Sequence, residues 1–363
     1  MIVPDGAGAV RAGEELDADR LAGWLRDRQT GVGGAVGVSQ FRHGHSNLTY
    51  LVTVDAAEYV LRRPPFGNQV KTAHDMAREF RMLEALAPIF PEAPRPLLYC
   101  DDSSVLGAPF YLMERRRGIV LRRILPTGVD LPPHVAGRAS EALVETLVRL
   151  HAVDYHAAGL GGFGHPEGYV ARQVRGWSER YAAAATETVP EMDAVAAWMA
   201  GRIPVEQGAA VIHNDFKFDN LLVDPLDPGR VEAVLDWEMA TIGDPLMDLG
   251  STLAYWIEVG DPPALRAAAM GPTDLSGMMT RVQFAEAYAR RSGRSVEGIA
   301  FHYTFGLFKV AVIVQQIYAR YLRGLTRDPR FAGMNGMVAV LARQAARAAE
   351  RGTLLPTKGP GVP

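Results

Sequence analysis

Cysteine is nearly missing: Cys100 is the only one in 363 residues, so no disulfide can close within the chain, and a reducing compartment suits it. An excess of one charge is missing too. Lys and Arg number 38 against 41 Asp and Glu, a net charge of -3, which gives no reason to expect nucleic acid or a membrane surface as partner. No apolar run is long enough to span a bilayer, because the longest, residues 305–322, is interrupted by Lys309, Gln315, Gln316 and Arg320. It reads as a buried or amphipathic helix. The first residues are acidic where a secretory leader would be basic, and a cytoplasmic protein is expected. No fixed-period repeat is visible. What remains is 48% apolar and 22% charged, the proportions of an ordinary globular enzyme with room for two lobes. Nothing in the sequence speaks to oligomeric state.

The periodicity divides the chain near residue 114. Before it come a helical pattern at 15–28, glycine-rich punctuation at 31–37, and strand patterns at 38–42, 49–54, 59–63 and 110–113. A helix over 73–86 puts Met76, Phe80, Leu83 and Leu86 on one face. Beyond Glu114 the pattern is helical at 136–153, 172–185, 190–199, 244–255, 280–291 and about 300–350. These readings predict an α+β fold of two lobes: a small β-rich lobe over 1–114 covering nucleotide phosphates, and a large helical lobe over 115–363 carrying the catalytic loop. The cleft between them is where a nucleotide would bind.

The richest stretch is residues 211–220, which hold His213, Asp215, Lys217 and Asn220 and are followed by Asp236 at the end of the apolar run 231–235. An H-x-D-x-x-x-x-N pattern with a later strand-terminal Asp supplies what phosphoryl transfer from ATP requires. Asp215 would orient or take the proton of an attacking hydroxyl. Asn220 and Asp236 offer hard oxygen ligands to Mg2+. Residues 221–223 and 231–235 flank a turn, so they read as a hairpin whose open ends bring Asn220 and Asp236 to one ion. The plainer reading makes Asp215 and Asn220 turn-formers, and the pattern alone is weak; strand context and Asp236 favour the catalytic one. Lys217 can neutralise the γ-phosphate or be a solvated lysine. His213 reads as a structural brace. Asp244, before Pro245, reads as a helix N-cap, and Asp248, one turn on, as a brace for the catalytic loop.

Residues 211–220 and 235–249, with 41–50, 59–65 and 73–80, resemble the aminoglycoside phosphotransferase family, a small-molecule branch of the protein-kinase-like fold. They most resemble the branch whose kinase domains occur alone in bacteria or fused to acyl-CoA dehydrogenase-like domains in animals. The resemblance spans roughly residues 35–325. It implies that Gly44, Ser46 and Asn47 form the phosphate-covering loop, although an ordinary hairpin turn would look similar. Arg62 stands where kinases carry the phosphate-touching lysine, and Glu79 where they carry its helix partner; without the resemblance, Glu79 beside Arg78 and Arg81 reads equally as a solvated helix residue. Backbone around Met113 and Arg115 would meet the adenine edge. The basic run Arg115, Arg116, Arg117, Arg122 and Arg123 is either a solvated face or a receiver for an anionic group.

Between Asp236 and the helix at Asp244 there is no room for a peptide-binding activation segment, so the acceptor is expected to be a small molecule. Residues 251–300 balance Glu258, Asp261, Asp274, Glu286 and Glu297 against Arg266, Arg281, Arg290, Arg291 and Arg294, with no acidic wall for a polycation. The branch resemblance points to hydroxylated acids or their thioesters. The rivals are an aminoglycoside acceptor and, because of Arg62, a catalytically silent nucleotide-binding module.

Overall fold

The computed structural model describes residues 6–28, 34–41, 47–66, 75–326 and 328–355. Gly44 and Ser46, expected in the phosphate loop, lie outside them.

The amino-terminal part is built on a six-stranded antiparallel sheet. Its strands are β1 (Ala7–Gly8), β2 (Val36–Phe41), β3 (Leu48–Val54), β4 (Ala57–Arg63), β5 (Pro96–Cys100) and β6 (Phe110–Glu114), in the spatial order β1-β2-β3-β4-β6-β5. Alternation assigns the two faces. Tyr50, Val52, Leu61, Phe110 and Leu112 pack beneath α1 (Ala18–Arg26) through Leu21, Trp24 and Leu25. Val60, Tyr111 and Met113 turn the other way and join Met82, Leu83 and Leu86 of α2 (Met76–Leu86) in the large core. Asp75 caps α2 by accepting from the Arg78 amide, which fixes where the helix begins. The same alternation separates two arginines. Arg62 takes the face of Val60, whereas Arg63 goes to the α1 side, where it is 2% exposed, donates to the Leu106 carbonyl at 3.0 Å and lies 3.6 Å from the Phe66 ring centre. Strand β5 escapes the sequence reading because its residues 96–99 are uniformly half-buried and it opens on a proline, as a sheet-edge strand can.

After α3 (Ser103–Leu106) and β6, the chain becomes helical: α4 (Pro133–His151), α5 (Tyr169–Ala184), α6 (Pro190–Ala200), α7 (Pro245–Tyr255), α8 (Pro263–Ala267), α9 (Arg281–Ser292), α10 (Ile299–Leu322) and α11 (Met334–Arg351). Helix α10 is buried nearly all round in its first half, as its apolar composition requires. It crosses α7 at two glycines. A Cβ on Gly250 would meet the His302 carbonyl oxygen at 2.3 Å, and one on Gly306 the Gly250 oxygen at 2.4 Å, so only glycine permits this approach. The single helix expected over about 300–350 is two, α10 and α11, because Gly324 in the left-handed region and Pro329 break the path. No described helix is long and apolar enough to cross a membrane. Two short antiparallel pairs interrupt the helices: β7 (Ala210–Ile212) with β10 (Thr241–Gly243), and β8 (Leu221–Val223) with β9 (Val231–Val234).

Candidate active site

The hairpin does what its sequence predicts. Leu221 stands opposite Val234, and the Leu235 amide donates to the Asn220 carbonyl at 2.8 Å, which sets Asn220 and Asp236 side by side at the open end. Asp236 holds φ +67°, as does Asn214 at the other end of the candidate catalytic loop. Both residue types tolerate this left-handed conformation better than most.

The loop is fastened from below by Asp248 on α7. Its carboxylate accepts the His213 and Asn214 amides, each at 2.7 Å, and lies 3.2 Å from Nε2 of His151, whose Nδ1 meets the Tyr288 hydroxyl at 2.8 Å. Burial pushes the Asp248 carboxyl up, yet the contacts with His151 and His213 outweigh it and hold it below the usual range. The fully buried His213 has Nε2 2.9 Å from the Leu235 carbonyl, and burial lowers its pKa, so it is a neutral brace. Asp244 accepts from the amides of Leu246 at 2.8 Å and Gln207 at 3.0 Å. It caps a helix and does not line the cleft.

Above this base, Lys217 Nζ lies 2.8 and 2.7 Å from the two Asp215 carboxylate oxygens. Asn220 Nδ2 donates to the same carboxylate at 2.9 Å and to the Asp215 carbonyl at 2.8 Å. Burial opposes the Lys217 charge, but the Tyr255 hydroxyl and Asp215 outweigh it and raise its pKa. With its amide nitrogen so engaged, Asn220 keeps its carbonyl oxygen as a hard donor in a cleft it lines with Asp236. A carboxamide and a carboxylate fit Mg2+, which takes few protein ligands beside phosphates.

From the sheet, Arg62 reaches across to Asp236 at 2.8 Å and to Glu79 on α2 at 3.2 Å. Glu79 is buried, contrary to a solvated-helix reading. Asn47 Nδ2 donates to Glu238 at 2.7 Å. Between the two parts lies a cavity of about 170 Å³, to which Val60, Met113 and Leu222 bring apolar surface and Arg62, Asn220 and Asp236 polar groups. Arg115 also lines it, its guanidinium 4.7 Å from the Phe41 ring centre. The rest of the basic run meets local carboxylates: Arg116 with Glu114 at 2.8 Å, Arg117 with Glu58 at 2.9 Å, Arg122 with Asp219 at 3.9 Å and Arg123 with Asp274 at 3.8 Å.

Sequence reasoning missed several residues here. Glu238 ties Asn47 to the loop. Tyr255 places its ring centre 4.3 Å from Lys217 Nζ. A second cavity, against Asn214, contains Trp177, Arg180 and Lys309. Gln173, Trp177 and Arg180 recur at helical spacing, and that was the available signal; Lys309 read only as an interruption.

Residues 37–284 match the family model described as phosphotransferase enzyme family. The chain belongs to this family. Mouse acyl-CoA dehydrogenase family member 10 is 36% identical over 80% of the chain, and rat acyl-CoA dehydrogenase family member 11 is 34% identical over 85%. The chain spans only 27% and 40% of those two proteins. Among solved structures, a Ralstonia eutropha protein provisionally assigned as an aminoglycoside phosphotransferase is 30% identical, with a TM-score of 0.77 over 93% of this chain and 99% of that one. A macrolide 2'-phosphotransferase type I superposes with a TM-score of 0.59 at 19% identity, covering 92% of this chain and 99% of that one. A thermostable aminoglycoside phosphotransferase APH(4)-Ia mutant, in ternary complex with AMP-PNP and hygromycin B, gives 0.57 at 18% over the same shares. These last two speak to fold alone. The bilobal kinase-like fold and the family resemblance read from the sequence therefore hold.

Proposed function

We propose that this phosphotransferase moves the γ-phosphoryl group of ATP to the hydroxyl of a small hydroxylated acid or hydroxyacyl thioester. The observation that carries the reading is the meeting of Asp215 with Lys217 and Asn220, directly beside Asp236 and Arg62. Asp215 orients the acceptor hydroxyl and receives its proton as the hydroxyl oxygen bonds to phosphorus and the bond to the leaving ADP oxygen breaks. Lys217 offsets charge on the transferring group. Arg62, steadied by Glu79, meets the phosphates, with Asn47, Gly44 and Ser46 on the covering side; Met113 and Arg115 present backbone to adenine. Asn220 and Asp236 would hold Mg2+, which supplies charge neutralisation at the phosphates. In this reading residues 1–114 cover the nucleotide and residues 115–363 carry the acceptor.

The acid or thioester preference draws support from the names of the curated relatives and from the charge of residues 251–300, where Asp261 and Glu258 are consumed by the buried Arg281. The test is incubation with γ-labelled ATP, Mg2+ and a panel of hydroxy acids, hydroxyacyl thioesters and aminoglycosides. Label on an acid or thioester is the expected result. Label on an aminoglycoside reverses the preference, and none on any acceptor favours a silent module.

A further inference from the structure

A cavity of about 420 Å³ opens between α5, α10 and the catalytic loop at Asn214. Arg172, Arg180 and Lys309 line it, and no Asp or Glu does. Lys309 is 3% exposed and sits in an apolar stretch of α10, where its ammonium donates to the Asn214 carbonyl and lies 5.7 Å from the Trp177 ring centre. Arg180 covers the same ring at 4.8 Å. Arg172 is held by the carbonyls of His165 and Glu167. Among the described residues no carboxylate forms an ion pair with any of the three. Asp215 and Asp248 support the Lys309 charge only from beyond contact; a buried ammonium with no carboxylate in contact is costly to keep, and an oxyanion entering this cavity would make that contact.

We propose that the cavity is the acceptor's oxyanion site, in which Lys309, Arg180 and Arg172 hold a carboxylate or phosphate borne by the acceptor. Trp177 and Phe305 line it beside these cations and offer surface for the acceptor's hydrocarbon. Asn214 lines the cavity, and its neighbour Asp215 lies near enough to Lys309 to support its charge, so an acceptor anchored here has the Asp215 carboxylate close by. The inference rests on the phosphoryl-transfer reading and deepens it by assigning the acceptor a negative group. The same charges would repel a polycation.

The test is calorimetric titration of 3-hydroxybutyrate, inorganic phosphate and neutral 1,3-butanediol into the whole chain. Saturating Mg2+ and a non-hydrolysable ATP analogue keep the probes out of the nucleotide cleft. At least one anion should bind in preference to the diol, and its affinity should fall tenfold or more in Arg180→Gln and in Lys309→Gln while analogue affinity is unchanged. Arg180 is exposed, so its variant tests the site even if the Lys309 variant folds poorly. Preference for 3-hydroxybutyrate points to a carboxylate on the acceptor, and preference for phosphate to a phosphorylated carrier. Absence of binding by both anions, wild-type affinity in Arg180→Gln, or equal binding of the diol overturns the site. Failure of the ATP analogue to bind, with anion binding intact on repeating the titration without it, instead overturns the phosphoryl-transfer reading.

Discussion

Arg62 donates to Asp236 at 2.8 Å, joining a strand of the sheet to the end of the β8–β9 hairpin. Its other terminal nitrogen faces Glu79 at 3.2 Å. Burial opposes the Arg62 charge, but Glu79 and Asp236 outweigh it and raise its pKa well above the ordinary value. A guanidinium can serve both carboxylates through its fork, whereas an ammonium is a single point. That geometry is a physical reason for arginine at this position. Burial in turn pushes the Glu79 carboxyl up, and Arg62 is what pulls against it.

Removing Arg62 should therefore act twice. Arg62→Ala strands Glu79 in the core and is expected to cost about 3–5 kcal/mol, the usual penalty for breaking a buried pair from one side. It should also weaken Mg-ATP binding. Adding Glu79→Gln should recover much of the stability and none of the affinity. Urea melts and nucleotide calorimetry on the single and double variants check this, and an Arg62→Ala protein with wild-type affinity would remove Arg62 from the phosphate site.

Asp215→Asn separates binding from transfer. Asparagine still accepts from Asn220 or Lys217 but takes no proton, so transfer should fall by a factor on the order of 10² or more while ATP affinity holds. Single-turnover rates beside equilibrium binding read the two effects. An equal loss in both would make Asp215 a structural residue of the loop.

Much of the candidate site's geometry was legible because its residues are close in sequence. Asp215, Lys217 and Asn220 lie within six residues, and the hairpin carrying Asn220 to Asp236 announced itself by two apolar runs and a turn. Asp244 was read from helix-capping rules and Asp248, one turn on, as the brace it is. What stayed hidden depends on tertiary approach. Lys309 lies 95 residues beyond the carbonyl it meets, and nothing in an apolar helix says which polar side chain faces a cavity. Strand β5 lacked alternation, and the break between α10 and α11 was read through because both sides are helical.

Acid should loosen the loop through His213. Its folded pKa lies below the ordinary value because burial disfavours the imidazolium, and His302 is lowered for the same reason. Below about pH 6.5 the unfolded chain binds protons that the folded chain resists, so stability falls as pH drops through that region. Asp248, whose carboxyl is also depressed, adds a loss only at lower pH, as its native partners cease to hold it ionised. Urea midpoints at neutral and mildly acidic pH should fall more gently in His213→Asn than in the wild type. An identical slope would assign the acid loss elsewhere.

Lys309 should give the acceptor site a pH dependence of opposite sense to its effect on folding. Burial lowers its pKa to about 8, with Asp215 and Asp248 supporting the charge and Lys217 and Arg180 opposing it. An oxyanion needs the protonated form, so the affinity of 3-hydroxybutyrate, ionised throughout the range, should be flat below neutrality and about tenfold weaker one pH unit above the Lys309 pKa. Folding runs the other way. Between pH about 8 and the unfolded lysine pKa of 10.5, the unfolded chain holds a proton that the folded chain has released, so this group's contribution to stability rises with pH. Lys309→Arg keeps its charge and should bind the acid with a flat profile; Lys309→Met should lose both the affinity and the alkaline rise. Calorimetry and urea melts across this range read the two effects, and a wild-type affinity that stays flat through pH 9 would exclude the Lys309 ammonium as the anion's partner.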